Sequence, residues 1–89
     1  MKYTKVVAFG KYANWSIRID HHTIRINVQI DHTIGSKEQY SYRLSIDGNY
    51  RGDFTTLANA KLFAVADVNA IIGNYNKDHG YSPLDGMIK

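Results

Sequence analysis

There is no cysteine in these 89 residues and only one proline. The first absence excludes a disulfide framework, a thiolate nucleophile and a cysteine-ligated zinc site. A chain this small in an oxidising compartment ordinarily depends on such staples, so an intracellular, cytoplasmic protein is expected. Long apolar runs are missing too. The opening Met1-Lys2-Tyr3-Thr4-Lys5-Val6-Val7-Ala8-Phe9 is basic and then apolar, but its apolar part is too short for a signal peptide or a membrane span. A soluble chain with no membrane partner is expected. Length allows one small domain with a single core, spanning 1–89, and no deep cleft between domains.

Charge of one sign is sparse. The net charge of +3 and pI near 9.2 permit a polyanionic partner, yet the chain lacks the dense Lys/Arg blocks of non-specific nucleic-acid binders. Its seven lysines, Lys2, Lys5, Lys11, Lys37, Lys61, Lys77 and Lys89, are scattered. Any focused positive field must therefore come from arginine.

Catalytic signatures are absent as well. There is no Gly-x-x-x-x-Gly-Lys-Ser/Thr loop, dinucleotide glycine fingerprint, His-Glu-x-x-His pair or nucleophile elbow. Serines, histidines and aspartates are plentiful, but no spacing selects a triad. A protein that is not an enzyme and uses no cofactor is expected. The histidines sit in Asp20-His21-His22 and Asp31-His32, with His79 far downstream. Were Thr23–Asp31 one strand, its ends would lie roughly 25 Å apart at about 3.3 Å per residue, too far for His21-His22 and His32 to share an ion. These are read as turn histidines with no metal-ligand role.

What the chain does have is strict alternation. Trp15, Ile17 and Ile19 interleave with Ser16, Arg18 and Asp20. Ile24, Ile26, Val28 and Ile30 interleave with Arg25, Asn27, Gln29 and Asp31. Tyr40, Tyr42, Leu44 and Ile46 interleave with Ser41, Arg43, Ser45 and Asp47. A period of two describes strands with one dry and one wet face. Strands are expected over about Lys2–Phe9, Trp15–Asp20, Thr23–Asp31, Tyr40–Asp47 and Tyr50–Phe54, with loops around Gly10 to Asn14, at His21-His22 capped by Asp20, and over Ile34-Gly35-Ser36-Lys37-Glu38. Asp47-Gly48-Asn49 reads as a three-residue hairpin loop, which turns Tyr50 inward opposite Ile46 and Arg51 and Asp53 outward. Thr55-Thr56 supplies an N-cap for a helix from Leu57 to about Ile72, with Gly73 as its stop and 75–89 as an irregular tail. The expected class is α+β, an antiparallel sheet of four to five strands packed on one long helix in the order β-β-β-β-β-α.

Placed at 100° per residue, Leu57, Ala60, Ala64, Val68 and Ile71 form the helix stripe that faces the sheet, bordered by Val65 and Ile72. A second apolar stripe, Leu62, Phe63, Ala66 and Ala70, needs a cover. The tail through Tyr75, Tyr81, Leu84, Met87 and Ile88 is the first expectation, a homodimer the next, a target protein the third. Inward Tyr40, Tyr42 and Tyr50 belong to the core, while Tyr3, Tyr12, Tyr75 and Tyr81 are candidate contact residues.

All four arginines, Arg18, Arg25, Arg43 and Arg51, share the outward phase with Ser16, Thr23, Asn27, Gln29, Ser41 and Ser45. Guanidinium forks beside amides and hydroxyls suit phosphates and base edges. The arginines are placed on phosphates, with Asn27 and Gln29 as base readers. Asp20, Asp31, Asp47 and Asp53 share that phase, so Arg–Asp ladders are the competing account.

Tyr42-Arg43-Leu44 on a strand, then Gly52-Asp53-Phe54-Thr55-Thr56 leading into Ala60 on a helix, resembles the ethylene-response-factor-type and integrase arm-type DNA-binding domains over about residues 40–70. That resemblance implies a three-stranded sheet backed by a helix, with Arg43 and Arg51 facing DNA and Arg25 joining them. The hairpin before Gly52 is shorter than the family's, and no tryptophan sits beside the arginines. In general character the chain is also similar to small phage-encoded accessory proteins that bind and block a host defence protein. The expected function is a binding module engaging nucleic acid, DNA or RNA, or a nucleoprotein complex through the arginine face. The alternative is an inhibitor or adaptor docking on a protein through the second helix stripe or the same sheet face.

Overall fold

The computed structural model describes residues 4–8, 12–33 and 41–88. Tyr3, Phe9, Gly10, Tyr40 and the connection 34–38 lie outside the described residues, as do the side chains of Tyr12 and Ala13. An antiparallel sheet is built from β2 (Tyr12–His21), β3 (Ile24–Thr33), β4 (Tyr42–Ile46) and β5 (Asn49–Phe54), in that spatial order. The backbone of β1 (Thr4–Ala8) runs antiparallel beside β2. One helix, α1 (Leu57–His79), packs over β3, β4 and β5. The class is α+β.

Alternation decides which face the helix covers. Ile26, Val28, Ile30, Leu44 and Ile46 are buried beneath Ala60, Ala64, Val68 and Ile72. These helix positions recur every fourth residue, and the two alanines among them leave room for the backbone to lie near the strands. Trp15, Ile17, Ile19, Ile24, Tyr42 and Phe54 complete the core at its margins. Thr56 caps the helix as expected, its hydroxyl accepting from the Asn59 amide at 3.1 Å.

Several boundaries differ from the sequence expectation. Tyr12 to Asn14 is strand, because this stretch is paired on both sides, with β1 and with β3. The β2–β3 turn falls on His22-Thr23, with His22 at φ 52°, and Asp20 bonds arginines instead of capping it. Gly73 does not stop the helix. Its missing side chain receives Met87, whose Cε would stand 3.4 Å from an added Cβ. An internal glycine costs only about 1 kcal/mol relative to alanine. The helix continues through buried Asn76 and ends at Gly80, whose φ of 70° is the left-handed cap. Tyr75 is thus helical, and the irregular tail begins only after Gly80.

The β4–β5 hairpin is the largest correction. Its loop is two residues, Asp47 at φ 52° and Gly48 at φ 80°, the left-handed pair whose twist suits tight hairpins. Asp47 is pinned to β3, donating its amide to the Asn27 carbonyl at 2.8 Å and accepting the Asn27 amide on its carboxylate at 2.8 Å. Ser45 then faces Tyr50 and Leu44 faces Gly52, so Arg51 is the extra residue of a β-bulge. The shorter loop reverses Tyr50, and the bulge restores phase by Asp53 and Phe54. Tyr50 is consequently 59% exposed on the outer face instead of in the core.

The tail returns along the helix flank at Asn69, Gly73 and Asn76. Ile88 exchanges two hydrogen bonds with the Asn69 side chain, at 2.8 and 2.9 Å, and Met87 and Ile88 pack on the core. This leaves the second stripe open: Leu62 is 70% and Phe63 43% exposed, with Ala66 and Ala70 also exposed. The expected tail cover over that stripe is not formed, because the tail's bonds to Asn69 and Asn76 hold it on the other flank.

Candidate binding face of the sheet

No described element covers the face of the sheet opposite the helix. Cross-strand neighbours set its chemistry: Ser16 with Gln29, Arg18 with Asn27, Asp20 with Arg25, Gln29 with Ser45, and Asp31 with Arg43, which also faces Asp53. Arg18, Arg25 and Arg43 therefore share one exposed surface with Asn27 and Gln29. Ser16, Arg18, Asn27, Gln29, Ser45 and Gly48 line a shallow depression near its centre.

Each arginine meets a carboxylate. Arg25 Nε donates to Asp20 Oδ1 at 3.1 Å, while Arg18 Nε lies 3.7 Å from Asp20 Oδ2, so two guanidinium groups share one acid. Arg43 Nε donates to Asp53 Oδ1 at 3.4 Å, and its guanidinium sits 5.5 Å from the centre of the Tyr50 ring. Gln29 Nε2 donates to Asp31 Oδ1 at 2.8 Å. Such exposed pairs contribute at most about 1 kcal/mol each, but they determine the field a partner meets. Three arginines face Asp20, Asp31 and Asp53. The surplus positive charge lies beside Asp20, and the surplus negative charge lies around Arg43.

Arg51 is not part of this surface. As the bulge residue it turns toward the helix and donates twice to Asp67, from Nε at 2.8 Å and from Nη2 at 3.1 Å. That hydrogen-bonded carboxylate holds the Arg51 pKa above the ordinary arginine value. The expectation of four arginines in one plane fails here because the two-residue loop moves the β5 register by one residue, turning Arg51 off the outer face before the bulge restores the phase.

Tyr50 donates its hydroxyl to Asp53 Oδ2 at 2.9 Å, and this bond, ahead of the repulsion from the Asp53 charge, raises its pKa above the ordinary 10.0. The bond exists only while the phenol is protonated, so whatever it adds to folding persists at neutral pH and disappears as pH rises through the raised pKa. Spectrophotometric titration of the phenols is expected to show Tyr50 ionising late. Asp53→Asn should move that midpoint down, and an unchanged titration curve would contradict the bond.

A second constellation lies at the β2–β3 turn, where segments distant in sequence converge. His21 is buried, its Nε2 2.7 Å from Asn76 Oδ1, and His22 Nε2 lies 2.6 Å from Asp85 Oδ2. His22 stacks on Tyr81 at 4.2 Å and Tyr75 on His79 at 4.0 Å, while Thr23 Oγ1 and Tyr75 Oη are 2.9 Å apart. Three of the four histidines thus gather at one end of the molecule, an arrangement that no linear spacing announces. His32 lies at the far end of β3, stacked on Tyr42 at 4.1 Å, with its Nδ1 buried and, among the described residues, without a hydrogen-bond partner. Among the described residues no helix is long and apolar enough to cross a membrane.

Comparison with protein-family models, with curated proteins and with solved structures finds no match to this chain.

Proposed function

We propose that the protein is a non-enzymatic binding module that docks on another protein through the open face of its sheet. The observation that carries this reading is the near balance of charge on that face, where Arg18, Arg25 and Arg43 alternate with Asp20, Asp31 and Asp53. A polyphosphate gains affinity by releasing counterions as unpaired cations neutralise it. Here it would also meet the carboxylates, and the arginines would have to leave their present acceptors. A protein surface of mixed charge can match the alternation, and the tyrosine and arginine of the Tyr50–Arg43 contact are residue types enriched at protein interfaces. An inhibitor or adaptor is the corresponding role.

Nucleic acid or a nucleoprotein is the second reading, favoured by one local feature: Arg18 and Arg25 share a single carboxylate next to Asn27. The two readings separate in one pair of experiments. Gel shifts with duplex DNA and with RNA at about 50 and 200 mM salt are expected to show no salt-sensitive complex. Affinity capture from the source cells is expected to recover a stoichiometric protein that the double variant Arg43→Glu, Tyr50→Ala loses. Tight, steeply salt-dependent binding removed by Arg18→Ala with Arg25→Ala would reverse the order. Capture undiminished by the sheet-face variant would move the interface elsewhere.

A further inference from the structure

The geometry points to a site for a late first-row divalent cation of the zinc type, formed by His21 and His22 at the β2–β3 turn and Asp85 of the tail. One donor atom from each of the three lies within 4.8 Å of the others. Zinc takes imidazole nitrogen and carboxylate oxygen at about 2.0–2.2 Å in a four-coordinate shell. Donors around such an ion stand a little over 3 Å apart on that geometry, so the 2.6 Å His22–Asp85 contact needs to open by less than 1 Å and the separations to His21, at most 4.8 Å, need to close by up to about 1.5 Å. Two imidazoles with one carboxylate select a borderline ion over magnesium or calcium, which prefer all-oxygen shells.

Asn76 provides the independent observation. It is fully buried, and its amide nitrogen donates to the Asp85 carbonyl at 2.9 Å. Its oxygen therefore faces His21 Nε2, which must donate. That bond fixes the tautomer and leaves the lone pair of His21 on Nδ1. Metal-bound histidines are ordinarily held in this way, by an outer acceptor on the other ring nitrogen. Gly86 lies against the Nδ1 edge, where an added Cβ would collide with the ring. One buried amide thus orients a ligand from the hairpin and the backbone of a ligand from the tail. The fourth position is left to water or to a side chain of a partner. The ion would tie the C-terminal segment to the sheet.

Calorimetric titration of the full chain with zinc chloride at pH 7.5, in a non-chelating buffer, tests this. Binding of one equivalent is expected, with a rise in Tm, and magnesium chloride should do neither. His22→Gln and Asp85→Asn change exposed side chains and should leave the fold intact. Each should weaken zinc binding at least as much as the 10- to 100-fold typical of losing an orienting partner. His79→Gln should leave it unchanged. Absence of zinc-dependent heat and of a Tm shift would overturn the site. Binding that survives both His22→Gln and Asp85→Asn would do the same, assigning zinc to other surface groups.

Discussion

Asn76→Ala is expected to destabilise the fold by about 2–4 kcal/mol, because it orphans two partners at once. The buried His21 Nε2 loses its acceptor and the Asp85 carbonyl, in a part-buried bond, loses its donor. For a domain of this length that corresponds to a fall in Tm of roughly 10–20 °C. The comparison residue is Asn69, which also joins helix to tail but is only half-buried, so Asn69→Ala should cost less. Thermal unfolding followed by circular dichroism measures both. A loss below about 1 kcal/mol for Asn76→Ala would mean that the tail is not fastened through this amide.

The second large effect is expected from Leu44→Ala. Leu44 is fully buried in β4, with Ile30 across the ladder on one side and Gly52 on the other. Leucine-to-alanine changes in cores cost about 2–5 kcal/mol, and the cost rises with the volume left unfilled. Glycine has no side chain that could swing into the gap, so the value should lie in the upper half of that range. Ile17→Ala, at a half-buried margin of the core, is expected to fall below it. Urea unfolding should show a lower midpoint with an unchanged slope, since the exposed area on unfolding is nearly the same. A cost equal to that of Ile17→Ala would show that the neighbours collapse into the site.

Much of the architecture was legible in the alternation itself. Ile24, Ile26, Val28 and Ile30 could face only one way, and the same holds for Tyr42, Leu44 and Ile46, so the sheet, its dry side and the class followed from period two. Thr56 was legible because a threonine before an alanine-rich, proline-free run has one obvious use. The β4–β5 loop was not. Both a two- and a three-residue loop fit Asp47-Gly48-Asn49, and the choice is made by the backbone pairing of Asp47 with Asn27 on the neighbouring strand. The shorter loop then reversed one tyrosine and one arginine before the bulge restored the phase. Gly73 misled because its conformational freedom marks a helix end only when no tail occupies its bare surface. The histidine cluster was beyond linear reading altogether, since His22 and Asp85 stand 63 positions apart.

The lateness of that fastening has a kinetic side. Hairpins between consecutive strands close short loops, whereas clasping the C-terminal segment onto the first hairpin turn waits until almost the whole polypeptide is in place. Contacts absent from the transition state slow escape from the folded basin without hastening entry to it. A clasp closed after the transition state acts as a latch on lifetime: loosening it is expected to quicken opening, with protease nicking after Gly80 as the earliest symptom.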